Sequence, residues 1–191
     1  MARSSEQALQ DRERAGRLTW EDLDGLWSDL QDDAAAGWDS GKALEHLVVR
    51  GFSLSGLEVE YPYDVPLGGR PLEQIDGLVY LGEVPFLIEC KDRDSVDIEA
   101  IAKLRNQLLR RPPSTMGCVF VSGTFTRPAV ILSDFAAPHR ITLWSNLDIS
   151  EAIQARNFAD TLRRKYHDLC MFGLTDHSPH YRELEADVED E

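Results

Sequence analysis

From Leu18 to Leu30 the apolar residues Trp20, Leu23, Leu26, Trp27 and Leu30 return every three or four positions behind Thr19, the pattern of an amphipathic helix with a ready N-cap. Residues 1–17 before it are polar and without apolar periodicity, which predicts a frayed segment or a solvated helix start. Asp32 to Gly37 reads as a linker. A second helix follows with Ala43, Leu44, Leu47 and Val48 on one face, Asp39 or Ser40 as its cap and Gly51 as its stop. The period then changes. A strand is predicted around Leu57–Tyr63, a loop at Pro66, Gly68, Gly69 and Pro71, and a hairpin over roughly 73–81 and 84–91 that turns at Leu81-Gly82-Glu83. Pro85 marks an edge or bulge position at the start of the second hairpin strand.

Asp94 or Ser95 caps a helix to about Arg111, with Ile98, Ile101, Leu104 and Leu108 on its apolar face and Pro112-Pro113 as its stop. Thr115–Ser122 is a continuous apolar run, the pattern of a strand buried on both faces. Thr126 caps a helix to about Phe135, Arg140–Trp144 is a short strand, and Asp148–Cys170 reads as one long amphipathic helix. A hairpin feeding a helix and then a buried strand implies an α/β fold: a mixed central sheet of about four to five strands with helices on both faces. One domain is expected over residues 38–180, preceded by an N-terminal amphipathic helical extension (1–37) and followed by an acidic tail (181–191).

Composition narrows the class. Hydrophobic residues at 42% and charged residues at 28% describe an ordinary globular protein. No apolar run approaches a membrane span, and the N-terminus lacks the apolar core of a signal peptide. Cys90, Cys118 and Cys170 cannot all pair with one another, and the first two sit in apolar strand patterns where a reduced thiol packs as a small hydrophobe. The expected compartment is the cytoplasm. The Trp20/Trp27 helix must dock on the domain or on a partner, so a homodimer or a subunit of a larger complex is expected.

A net charge of −14 at pH 7 argues for weak non-specific affinity for nucleic acid. The charge is uneven, however. Residues 1–33 carry nine acids against four bases, and residues 181–191 carry six against one. Between Glu99 and Asp134 there is no acid, while Lys103, Arg105, Arg110, Arg111 and Arg127 lie there. Such a stretch suits phosphate neutralisation, or it is simply the solvated face of a helix.

Candidate chemistry lies in the hairpin, where Asp76 stands on the first strand and Glu89-Cys90-Lys91 ends the second. Strand alternation turns Glu89 and Lys91 to one face. Counted from Gly82, Asp76 and Glu89 fall nearly opposite each other, and with a bulge near Pro85 their carboxylates can share a cation. An exposed hairpin salt bridge is the alternative. This Asp–Glu-x-Lys set in its hairpin, followed at once by a capped helix, resembles the PD-(D/E)xK nuclease superfamily. With the helix Gly41–Val48, the resemblance is to its Mrr-like restriction endonucleases and covers most of residues 38–131. Ile75 stands where the literal motif has proline.

The resemblance implies a restriction-endonuclease-like core and a metal-dependent endonuclease that hydrolyses phosphodiester bonds in nucleic acid, DNA rather than RNA, with Mg²⁺ or Mn²⁺. Asp76, Glu89, the Cys90 carbonyl and Glu45 would hold the cation; Glu45 lies next to core-facing Leu44 and Val48, and a surface position is its alternative. Lys91, with a pKa depressed by desolvation, would activate the attacking water. Gln107 matches a family glutamine in position, although Arg111 stands where the family pattern has tyrosine; Arg105 and Arg111 suit backbone phosphates, with Lys103 beside them. The rival within the same fold is a catalytically inactive subunit that binds or assembles. A separate candidate is a zinc site from His167, Cys170, His177 and His180, against a helix end with dipole-complementing histidines.

Overall fold

The computed structural model describes residues 5–35, 37–38, 41–61, 63–67, 70–135 and 141–176, with side chains described from residue 9 onward and outside 62–73. Helices α1 (Ser5–Ala15), α2 (Trp20–Gln31) and α3 (Lys42–Leu54) come first. Strands β1 (Glu58–Glu60), β2 (Tyr63–Leu67), β3 (Arg70–Ile75), β4 (Gly77–Leu81), β5 (Val84–Lys91) and β6 (Ser95–Val96) lead to α4 (Ile98–Leu108). Then come β7 (Met116–Val121), β8 (Thr124–Phe125), α5 (Arg127–Phe135), β9 (Ile141–Trp144), α6 (Asn146–Gln154) and α7 (Phe158–Phe172).

The central sheet has five strands in the order β1-β4-β5-β7-β9. Its β1-β4-β5 half is antiparallel and its β5-β7-β9 half parallel, so the predicted mixed sheet is observed. Each face is covered by its own core. Leu44, Leu47, Val48 and Phe52 of α3 pack with residues of α2, α6 and α7 against Phe86, Ile88 and Cys90. On the opposite face Ile101, Leu104 and Leu108 of α4 and Ala129 of α5 pack against Leu87, Val119 and Val121. All six residues of β7 are buried, as the unbroken apolar run requires.

Several local expectations are corrected. Residues 5–15 form a helix whose Asp11 and Ala15 are buried, and its Arg12 donates to the Tyr61 carbonyl at 3.0 Å. Helix α2 has the Thr19 capping box with Asp22, and its apolar face is spent inside the molecule: Leu23, Leu26 and Leu30 are buried, and the Trp27 indole donates to Ser150 at 2.9 Å. Of the two docking alternatives for its apolar face, the domain is the one observed. Gly41 is the N-cap of α3, and the predicted caps Asp39 and Ser40 lie outside the described residues.

Gly51 does not stop α3, which runs on to Leu54; a Cβ there would meet the Phe158 ring at 2.6 Å, so the glycine marks a close crossing with α7. The Pro/Gly stretch holds the hairpin β2–β3, with a register shift between Val65 and Pro66. A two-stranded ribbon has free edges that tolerate proline. Nor is there a bulge at Pro85. The β4–β5 ladder runs in unbroken register from Leu81↔Val84 to Gly77↔Ile88, and pairing to β7 begins only at Phe86, so Pro85 needs no donor on that side. Helix α4 is capped by Asp97, because Ser95 and Val96 are drawn into a parallel pair with β8. The long C-terminal helix is two: Arg156 takes a left-handed φ of 52°, and Asn157 caps α7 so that Phe158 can enter the core.

Gly51→Ala forces a methyl into a wholly buried ring that is packed against Phe52 and Trp144. The expected cost is about 1–3 kcal/mol in urea denaturation, typical of overpacking, and an unchanged midpoint would show that α7 can yield.

Candidate functional site

Asp76 is where the sheet opens. It lies between β3 and β4, one step beyond the last ladder pair Gly77↔Ile88, and so across from Glu89 without any bulge. Beyond that point β5 has no partner strand on its β4 side among the described residues. The Lys91 carbonyl accepts from Ser122 N–H at 3.2 Å on the β7 side. Strand alternation therefore turns both backbone groups of Cys90 the other way, toward the opening. There the Asp76 carboxylate takes the place of the missing strand, Oδ2 accepting from Cys90 N–H at 2.8 Å. The Cys90 carbonyl faces the same opening, while its thiol is buried in the core with α3.

Glu89 and Lys91 point to the α4 face. Glu89 is completely buried, and Lys91 Nζ donates to its Oε1 at 2.5 Å. From α4, Lys103 Nζ donates to both carboxylate oxygens of Glu89, at 2.8 and 2.6 Å. Lys103, expected at a nucleic-acid phosphate, here serves as the second counter-ion of Glu89. Glu45 comes from the first turn of α3, is buried, and is bracketed by Lys42 Nζ at 2.8 and 2.6 Å.

The electrostatics show that these acids share one region. Burial, then the charge of Asp76, pushes Glu45 up to about 7, with Glu89 adding to the shift and Lys42 opposing it. Burial and then Glu89 raise Asp76 above the usual carboxylate range, opposed by the Cys90 N–H, Lys103 and Lys42. Lys91 departs from expectation. Desolvation is the largest single influence and pulls it down, but the hydrogen bond and charge of Glu89, with Asp76 behind, outweigh it and leave its pKa raised. Lys91 is an ammonium at neutral pH, not a resting base.

Lys91 and Lys103 also line a groove of about 410 Å³ together with Arg93, Ser95, Asp97 and Glu99. Arg93 had no sequence signal beyond its charge. Lys42 had one that went unused, its i, i+3 spacing to Glu45 in a first helical turn. Gln107 is buried, its Nε2 donating to the Gln74 carbonyl at 3.3 Å, and Arg111 donates to the Gln107 carbonyl at 2.5 Å. Gln107 thus braces α4 against β3. Arg105 is exposed on α4. Of the zinc candidates, His167 is exposed beside Asp168 and Cys170 is an exposed free thiol, whereas His177 and His180 lie outside the described residues.

Among the described residues no group of three or more His, Cys, Asp and Glu side chains is placed to hold a metal ion. Two carboxylates and a carbonyl at a sheet opening still suit Mg²⁺, which keeps several waters and takes substrate oxygens in place of an all-protein cage. The mutual repulsion of the three acids, two of them with raised pKa values, would be eased by a cation nearby.

No family model and no curated protein matches the chain. Solved structures with similar folds include a protein of unknown function, AF1548, at 18% identity and TM-score 0.46, over 56% of this chain and 64% of that one. Another is the MspJI restriction endonuclease in complex with a 27-mer oligonucleotide, at 18% identity and TM-score 0.45, over 83% and 38%. A third is the DNA modification-dependent restriction endonuclease AspBHI, at 16% identity and TM-score 0.43, over 86% and 41%. This chain spans less than two thirds of the length of each.

The raised pKa of Glu45 has a consequence for stability. The folded value of about 7 lies above the ordinary 4.5, so the native state binds the extra proton between them. The stabilisation is fully present below pH 4.5 and lost as pH rises through about 7. Wild-type unfolding free energy is expected to drop by up to about 3 kcal/mol from this group between acid and mildly alkaline pH. Glu45→Gln, which keeps the shape without the charge, should flatten that slope in urea denaturation at the two pH values. An unchanged slope would assign the pH dependence elsewhere.

Proposed function

We propose that the protein is a divalent-metal-dependent endonuclease that hydrolyses phosphodiester bonds in nucleic acid, with DNA foremost. The observation that carries this reading is the convergence of Asp76, the Cys90 peptide, Glu89 and Lys91 at the point where β4 ends and β5 continues. Asp76, Glu89 and the Cys90 carbonyl would hold Mg²⁺ or Mn²⁺, with Glu45 completing the acidic wall. When bound, the cation supplies Lewis-acid polarisation of the scissile phosphate and neutralises charge on it.

The chain's own residues do the rest. Asp76 is aimed by the Cys90 N–H, so its remaining lone pairs face the opening. Lys91 holds its proton and stands at the mouth of a groove that also carries Arg93 and Lys103, which suits it to bind a phosphate oxygen and offset negative charge as the bond to the attacking oxygen forms. The groove sets Lys91, Arg93 and Lys103 against Asp97 and Glu99 in a chain of net charge −14, so affinity rests on a few contacts and falls steeply with salt. Arg105 is exposed on the same helix but two residues from Lys103, and so on a different face from the groove.

A supercoiled plasmid and a single-stranded RNA, each with Mg²⁺ or Mn²⁺, test this reading. Wild type is expected to nick or cut the plasmid. Lys91→Met is expected to lose about 10²–10³-fold in rate, the usual loss for an electrostatic donor, with its fold retained because Lys103 still neutralises Glu89. Asp76→Asn keeps an acceptor for the Cys90 N–H and is expected to lose both cleavage and cation binding. Bound but uncut nucleic acid under every cation would instead identify an inactive binding subunit.

A further inference from the structure

Glu89 is wholly buried, and an uncompensated carboxylate there would cost several kcal/mol, so it needs a cation beside it at all times. In this structure that requirement is met by two ammonium groups. Lys91 takes Oε1, and Lys103 straddles Oε1 and Oε2. These three contacts fill both lone-pair positions of Oε1 and one of Oε2, so a metal that takes Glu89 through both oxygens competes with Lys103. Lys91 is the neighbour two residues along the same strand and is 33% exposed. Lys103 comes from a different element, is 45% exposed, and has the groove beside it.

We propose that Lys103 is a positioning residue that couples cation binding to nucleic-acid binding: its ammonium holds Glu89 until a divalent cation takes the carboxylate, and then turns into the groove toward a substrate phosphate. The inference rests on the assignment of Glu89 as a cation ligand made above. The groove sets Lys91 and Arg93 against Asp97 and Glu99, so Lys103 displaced into it brings a third cation to two acids, and a phosphate takes up the excess positive charge. A phosphate in the groove draws Lys103 off Glu89 in turn. Both ligands favour one displacement, so each tightens the other by the same factor.

Calorimetric titration of Mn²⁺ tests the coupling, with and without a phosphorothioate duplex that resists cleavage. Wild type is expected to bind Mn²⁺ about 5-fold or more tightly when the duplex is present. Lys103→Met is expected to bind Mn²⁺ about 5-fold or more tightly than wild type with no duplex, and to gain less from adding it. Lys103→Arg keeps a cation on Glu89 and is expected to restore wild-type behaviour. Thermal melting reports folding of each variant, and the wild-type titrations stand without any variant. If Asp76→Asn abolishes Mn²⁺ binding while Lys103→Met binds no more tightly than wild type, the coupling is wrong and the cation site stands. If Asp76→Asn binds Mn²⁺ as wild type does, the cation site itself falls, and the coupling with it.

Discussion

A carboxylate with no solvent exposure, carried near the end of a central strand, is the constraint around which this molecule is arranged. Glu89 cannot be charged there alone, and the two lysines that reach it come from different places: one along its own strand, one from the helix that follows. Helix α4 therefore has two duties. Its apolar side, Ile101, Leu104 and Leu108, covers one face of the sheet, and its flank brings Lys103 to the strand end. The acids that converge from the other side, Asp76 and Glu45, receive partial compensation only, from a backbone N–H and from Lys42, and their protons are correspondingly harder to remove.

This local imbalance is made possible by a topological detail. The strand leading into the hairpin is broken at Asp76 into β3, which pairs with β2, and β4, which pairs with β5. Because β4 begins only at Gly77, the Cys90 peptide loses its neighbour and an aspartate side chain takes over the hydrogen bond. An interior sheet position thus becomes a cleft with a carboxylate, a carbonyl and an ammonium at its edge. The other wall is α3, held against the sheet by Leu44, Leu47 and Phe52 and by the close crossing of Gly51 with Phe158, so the position of Glu45 is tied to the packing of the C-terminal helix.

The retained proton on Lys91 changes the chemistry that the arrangement can perform. A lysine between Glu89 and Asp76 is a source of positive charge, and the loss of solvent around it is more than offset by its acidic neighbours. The groove beside it holds three cations against two acids in a molecule of net charge −14, so any attraction of an anion there is short-range.

Much of this was legible in the residues. The alternating and helical periods located the elements around the site, and counting from Gly82 put Asp76 across from Glu89, because hairpin register is set by the turn alone. The unbroken apolar run of Met116–Val121 required a doubly covered strand, and so helices on both faces. What the sequence could not decide were contacts between residues far apart in the chain. Lys103 reads as a surface cation on an amphipathic helix until α4 is packed on β5. Gln107 reads as a helix flank until the Gln74 carbonyl is brought beneath it. The sign of the Lys91 shift, the role of Gly51 and the break at Arg156–Asn157 likewise depend on neighbours that only the folded chain supplies. Local pattern determines which segment is helix or strand; burial, and the charges that burial brings together, are properties of the packed molecule.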